Sequence, residues 1–333
     1  MTIRKPAYFD RFRCIAGACP DSCCKEWEVL VDEESAAYYR SLPGDLGDRL
    51  RQVLRDEDGK TYMTIENHRC PMWRADGLCR IQAELGEEAL CQVCGSFPRL
   101  RHDYGSFAEL GLELSCPEAA RLILEGSGWE SITAEDDEPA EACCDEEAME
   151  SLLASRKIAL SLFDRYPAPR ALALLLVYGY QAQEELDGCE AEGFDTDSAI
   201  DTIRSLAKEG ELCEFLNFFT GLELLTEDWK QRLEKPAEIC LPEGTAALAH
   251  YLIGRYWLQS VSDYDLTCRV KFIVISCLLV GLLGGDFRQT AQIFSKEIEN
   301  DADNVDAILD AAYTCAAFTD DKLLGMLLKG GSL

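Results

Sequence analysis

Cys14-Ile-Ala-Gly-Ala-Cys19-Pro-Asp-Ser-Cys23-Cys24-Lys-Glu-Trp27 carries four cysteines within eleven residues. Gly17 and Pro20 break the run, so it reads as a turn-rich loop in which several sulfurs converge on one point. More cysteines follow at Cys70 and Cys79, at Cys91-x2-Cys94 and at Cys116. Nine of the 17 cysteines thus fall in the first 116 of 333 residues. Seventeen is odd, which excludes complete disulfide pairing. Clustered thiols in a reducing compartment point to metal or redox chemistry instead.

Thiolates this closely spaced suit Zn2+ or an iron–sulfur cluster, both of which take sulfur ligands. The chain has only three histidines, His68, His102 and His250, so ligation would be nearly all sulfur. That leaves zinc and iron open and disfavours copper(II) and hard, oxygen-seeking cations. The metal-ligand candidates are Cys14, Cys19, Cys23, Cys24, Cys70, Cys79, Cys91, Cys94 and Cys116. They exceed one four-ligand site, and fill either two sites or one cluster with bystanders. The later eight (Cys143, Cys144, Cys189, Cys213, Cys240, Cys268, Cys277 and Cys315) lie in helix-like, mostly apolar surroundings and read as small hydrophobes filling cores.

Charge narrows the partners. There are 32 Lys+Arg against 61 Asp+Glu, a net of −29, which opposes binding to nucleic acid or anionic lipid. Residues 1–120 hold 15 − 21 = −6 of that, and residues 121–333 hold 17 − 40 = −23. The first ten residues lack the pattern of a signal peptide. The longest apolar stretches, 171–180 and 272–283, read as too short to span a bilayer. A cytoplasmic protein with no transmembrane segment is expected.

The architecture expected is α+β, mostly α: a cysteine-rich metal domain with a few short strands over residues 1–128, an acidic linker over 129–147, and an all-α helical bundle over 148–333. Trp27, Val29 and Val31 alternate with polar neighbours, as in a half-buried strand. Residues 62–65 and 110–114 suggest two more strands, and 45–54 and 81–91 suggest helices. Ser115 with Glu118 three residues on reads as a capping box opening a helix that Gly126 stops. Residues 126–145 read as exposed linker. The second half reads as helix throughout, with the apolar run after Pro169 at a buried bundle centre. No Gly-x-Gly-x-x-Gly, phosphate loop, Gly-x-Ser-x-Gly elbow or Cys-x3-Cys-x2-Cys occurs.

Four stretches together resemble the flagellin lysine N-methylase family, within a wider group of zinc- or iron-chelating cysteine-cluster proteins. They are the run from Cys14 to Trp27, then Gly77-Leu-Cys-Arg-Ile-Gln-Ala-Glu-Leu-Gly-Glu-Glu-Ala-Leu-Cys91, Cys94-Gly-Ser-Phe-Pro-Arg99 and Leu114-Ser-Cys-Pro-Glu-Ala-Ala-Arg121. The resemblance covers about residues 6–125 and is loose beyond, where Tyr-Leu-Ile-Gly-Arg-Tyr-Trp257 carries it. It implies an iron–sulfur cluster, of the 4Fe-4S type, on the nine early cysteines, with zinc as the alternative. It also implies S-adenosylmethionine as methyl donor and flagellin lysine ε-amines as acceptors. Trp27, Phe97, Pro98, Arg99, Glu118 and Arg121 occupy its other recognisable positions. Arg99 or Arg121 would suit the donor's carboxylate through a bidentate fork. A non-enzymatic zinc or iron adaptor and an iron–sulfur redox protein are the competing readings.

Overall fold

A computed structural model describes residues 2–126, 131–135, 144–190 and 193–329. It begins with strand β1 (Thr2–Pro6), the cysteine loop and β2 (Val29–Val31), then helices α1 (Glu33–Ser41) and α2 (Gly44–Val53). Strands β3 (Leu54–Glu57) and β4 (Lys60–Met63) are followed by helices α3 (Arg80–Leu85) and α4 (Gln92–Ser96). Strands β5 (Arg99–Asp103) and β6 (Phe107–Leu112) lead to α5 (Pro117–Glu125) and β7 (Ser131–Glu135).

The rest is helical: α6 (Glu146–Arg165), α7 (Ala168–Leu186), α8 (Thr196–Leu206), α9 (Leu212–Phe219), α10 (Glu227–Glu234), α11 (Gly244–Tyr256), α12 (Leu266–Leu283), α13 (Phe287–Phe294), α14 (Ala302–Thr314) and α15 (Asp320–Lys329). The mostly α character of the chain is as expected. The strands form two sheets, ordered β5-β6-β1-β7 and β2-β4-β3, antiparallel except for the β1–β6 pair.

Several sequence expectations change. Residues 131–135 pair with β1 as a strand, so part of the expected linker belongs to a sheet; the rest of its centre, with Cys143, lies outside the described residues. Cys116, not Ser115, stands at the N-cap of α5 with Pro117 in the first turn. Glu118 turns forward to Arg121 in place of reaching back to the cap. Cys189, Cys213 and Cys240 are exposed and fill no core, whereas Cys268 and Cys277 are buried.

Helix α12 is 18 residues long with mean hydropathy 2.1, long and apolar enough to cross a membrane, contrary to the shorter stretch read from sequence. All of it is buried inside the protein, which accounts for its apolar circumference. Its two charges are paired: Arg269 with Asp263 at 2.8 Å and Lys271 with Asp320 at 3.2 Å.

Two apolar cores form among the described residues. The smaller joins Val29, Val31, Tyr39, Leu50, Met63, Met72, Ile81 and Cys91. The larger runs from Phe12, Phe107, Leu112 and Leu122 through the helical half, so the packing does not divide at residue 128. Five of the 40 acidic residues after position 120 cap helices. Asp145, Asp195, Asp265, Asp286 and Asp301 each accept backbone N–H bonds at a helix start. Each such cap contributes about 1 kcal/mol.

One contact sets how close α15 can lie to the chain before α9. A Cβ on Gly325 would stand 1.6 Å from the carbonyl oxygen of Lys208. Helix propensity alone would favour alanine there by about 1 kcal/mol. Displacing backbone costs more, so Gly325→Ala is expected to destabilise by about 1–3 kcal/mol, measured as a fall in thermal midpoint. An unchanged or raised midpoint would show that α15 has room to shift.

Candidate metal centre

The small core places the thiols. Cys24 and Cys70 are tied by a backbone bond, Cys70 N–H donating to Cys24 O at 2.8 Å. Asp32 does two jobs. One carboxylate oxygen accepts from Ser35 N–H at 2.9 Å and caps α1; the other accepts from Gln92 N–H at 2.8 Å, fixing the turn that bears Cys91 and Cys94. Tyr39 is fully buried and donates to Ala89 O at 2.7 Å, two residues before Cys91. Cys79 opens α3, and Arg80 N–H donates to Met72 O at 2.7 Å across the turn from Cys70.

The thiols shift one another's acidity in a directed series, and Cys70 Sγ donates to Met63 Sδ at 3.4 Å. The bond with Cys24, then burial, pushes Cys23 well above the ordinary thiol range. For Cys24 the bond with Cys23 pulls down, but the bond with Cys70 and burial outweigh it, giving about 12. Cys70 receives that bond and is lowered. Likewise the bond between Cys91 and Cys94 lowers Cys91 and raises Cys94. Cys70 and Cys91 are thus held below the ordinary thiol range, and a thiolate is the form that binds a cation.

The remaining cysteines join through their fields. Cys79 feels Cys23 and Cys91, while Cys94 feels Cys24 and Cys70. Cys19, raised mainly by burial, feels Cys14 and Cys23. Burial pushes Cys116 up to about 12, with Cys19 and Cys14 adding to it. Cys91, with Cys70 and Cys79 packed on it, belongs to the small core, whereas Cys116 belongs to the larger one. Cys268 stands apart from these sulfurs; its neighbours are Asp265, Arg269 and Asp263.

As the side chains stand, among the described residues no three His, Cys, Asp or Glu groups converge closely enough to hold a metal ion. Ligation would require these thiols to lose their protons. The donor chemistry fits a soft cation: every group in the set is sulfur, without a carboxylate among them.

The helical half clamps this loop, which the sequence did not reveal. Lys296, 3% exposed on the π-turn Ser295–Glu299, reaches Asp21 Oδ2 at 3.0 Å, between Cys19 and Cys23. Its ammonium lies 4.9 Å from the centre of the Trp27 ring, and Trp27 packs on Phe97 at 6.4 Å. Gln292 donates to Ser115 O at 2.6 Å, steadying the chain before Cys116. Lys296→Met is expected to loosen the loop by about 1–2 kcal/mol. Labelling of Cys19, partly buried and two residues before Asp21, by a thiol reagent should then quicken about tenfold, with Lys296→Arg near wild type. Equal labelling rates in all three would remove the clamp.

The two arginines suggested for a donor carboxylate have other partners here. Arg121 bridges Glu118 at 2.6 Å and Glu125 at 2.8 Å along α5. Arg99 lies over the Phe12 ring at 5.2 Å.

No family model and no solved structure matches the chain. It is 32% identical to a lysine-N-methylase of Salmonella typhimurium over 134 residues, 37% of this chain and 33% of that protein. A lysine-N-methylase of Salmonella choleraesuis is 31% identical over the same length, again 33% of that protein. The flagellar biosynthetic protein FliU of Salmonella muenchen is 31% identical over 134 residues, which span 78% of it. The chain thus spans about a third of the length of the two lysine-N-methylases and most of FliU, and by that likeness it belongs to the flagellin lysine N-methylase family.

Proposed function

We propose that this protein transfers methyl groups to lysine ε-amines of flagellin or a similar protein, with S-adenosylmethionine as donor and a metal centre on its early cysteines. The linked series Cys23, Cys24, Cys70, Cys79, Cys91 and Cys94, in a relative of lysine-N-methylases, is the observation that carries this reading. An iron–sulfur cluster on these residues would supply either a structural brace or one-electron chemistry toward the donor. This chain's own part is to bring the acceptor nitrogen to the donor methyl without its proton, since only a neutral amine has a lone pair to attack with.

The test is transfer of labelled methyl from S-adenosylmethionine to purified flagellin by anaerobically prepared protein. Label on lysine supports the reading; none on flagellin or any other lysine-bearing protein overturns it. A chain holding only zinc and transferring no methyl would instead match the zinc adaptor, the runner-up favoured by the same all-sulfur donor set.

A further inference from the structure

The two segments that carry Cys24 and Cys70 run antiparallel. Cys70 N–H donates to Cys24 O at 2.8 Å and Glu26 N–H to His68 O at 3.2 Å, so Lys25 and Arg69 stand directly opposite between those bonds. That makes them a non-hydrogen-bonded pair, the arrangement in which opposed side chains come closest. Successive residues face opposite ways. Cys24, Glu26, His68 and Cys70 therefore share one face, where His68 Nδ1 lies 3.2 Å from Glu26 Oε2. Lys25 and Arg69 share the other, at 5.5 and 4.4 Å from the centre of the Trp73 ring.

Two cations set directly opposite each other repel. The Trp73 ring offsets part of that repulsion. Carboxylates offset little more: Asp21 lies 3.4 Å from Lys25 but 3.0 Å from Lys296, so two ammoniums divide it. Arg69 is exposed, and among the described residues no carboxylate pairs with it. Arg74, the next cation along the chain, is bound to Asp76 at 2.7 Å. An arginine without a carboxylate, in a chain with 61 acidic residues against 32 basic ones, points to an anion from outside. A guanidinium laid on an indole keeps its in-plane N–H groups free to meet one.

We propose that Arg69, backed by Trp73 and flanked by Lys25, is a carboxylate-binding site whose ligand is the amino-acid carboxylate of the sulfonium donor. This rests on the methyl-transfer reading. The guanidinium fork takes the two carboxylate oxygens, and the Lys25 ammonium adds charge from the side. The other two arginines considered for that carboxylate lack this setting. Arg121 is bound to Glu118 and Glu125, and Arg99 pairs across its ladder with Leu112, not with a second cation.

The backbone joins this anchor to the thiols. Arg69 precedes Cys70 and Lys25 follows Cys24, so a ligand held by the two cations lies across one backbone layer from those sulfurs. The carboxylate is remote from the methyl that reacts. Its anchor therefore contributes to holding the donor, in the ground state as well as the transition state, and no bond is made or broken there.

The chain has five tryptophans, so indole N–H NMR of the full-length protein, purified without air, gives few signals, and Trp73→Phe assigns the one needed. Titration with S-adenosylhomocysteine, which keeps the carboxylate, is expected to move the Trp73 signal saturably. Methylthioadenosine, which lacks the amino-acid end, should leave it in place. Arg69→Gln should raise Kd for S-adenosylhomocysteine at least about tenfold, with Arg69→Lys between the two. Arg74→Gln, which removes a neighbouring exposed charge, should match wild type. Equal affinity in Arg69→Gln and wild type, or a Trp73 signal moved alike by methylthioadenosine, overturns the proposal even if flagellin is methylated. A Trp73 response to flagellin and none to S-adenosylhomocysteine gives the site to an acidic residue of the acceptor and overturns the donor assignment. Binding that Arg69→Gln removes, with no methylation of any protein, keeps the carboxylate site and discards methyl transfer.

Discussion

Arg156→Met is expected to destabilise the protein by about 3–5 kcal/mol, the cost of stranding a buried carboxylate. Arg156 on α6 and Glu109 on β6 are 8% and 7% exposed and bond bidentately, so neither has water to fall back on. With Arg156 gone, Glu109 must ionise unpaired beneath the sheet or take a proton. For a chain of this length the thermal midpoint should fall by about 4–7 °C. The pair itself is another matter, since removing both charges removes the penalty. Glu109→Leu combined with Arg156→Met is expected to recover most of the loss. If the single variant unfolds at the wild-type temperature, the β6–α6 ion pair does not hold the sheet to the bundle.

The second large effect concerns the thiols. Serine at both Cys24 and Cys70 removes the middle of the Cys23–Cys24–Cys70 series and substitutes hard hydroxyls for soft sulfur. Metal retained after purification is expected to drop by more than the roughly 10–100-fold that loss of a supporting contact costs. Both residues are only partly buried, and serine nearly matches cysteine in volume, so the fold should survive. The control is serine at exposed Cys189 and Cys213, outside the series, where metal content should stay at the wild-type level. Equal loss in the control would mean that metal binds nonspecifically to thiols.

The helical half was the more legible because its signals are local. The α12 boundaries follow from an apolar run between the Asp265 cap and Gly284. Helix α10 is the least marked of these helices, because Glu-Asp-Trp-Lys-Gln-Arg-Leu-Glu shows little apolar stripe; only Trp229 and Leu233 are buried in it. Strand β1 was missed because its partners, β6 and β7, lie more than a hundred residues away and nothing local marks a five-residue strand. The capping box failed for a similar reason, since Arg121 offered Glu118 a charged partner one turn on.

For the site, spacing alone singled out the nine early cysteines, because short-range sulfur clustering is visible in sequence. The groups that position them were not. Asp32 reads as an ordinary helix cap, and nothing in sequence shows its second oxygen holding Gln92. Lys296 lies 275 residues from Asp21, on a turn with no cysteine near it. His102 sits among charged neighbours on a short strand, and nothing local marks the burial of its Nε2 without a partner.

The measurement that bears most directly on the early cysteines as a metal centre is iron, acid-labile sulfide and zinc in full-length protein purified without air. Wild-type protein is expected to hold about four irons and four sulfides, and to lose them in Cys24→Ser/Cys70→Ser. Protein that folds normally and carries neither iron nor zinc under those conditions would contradict the centre.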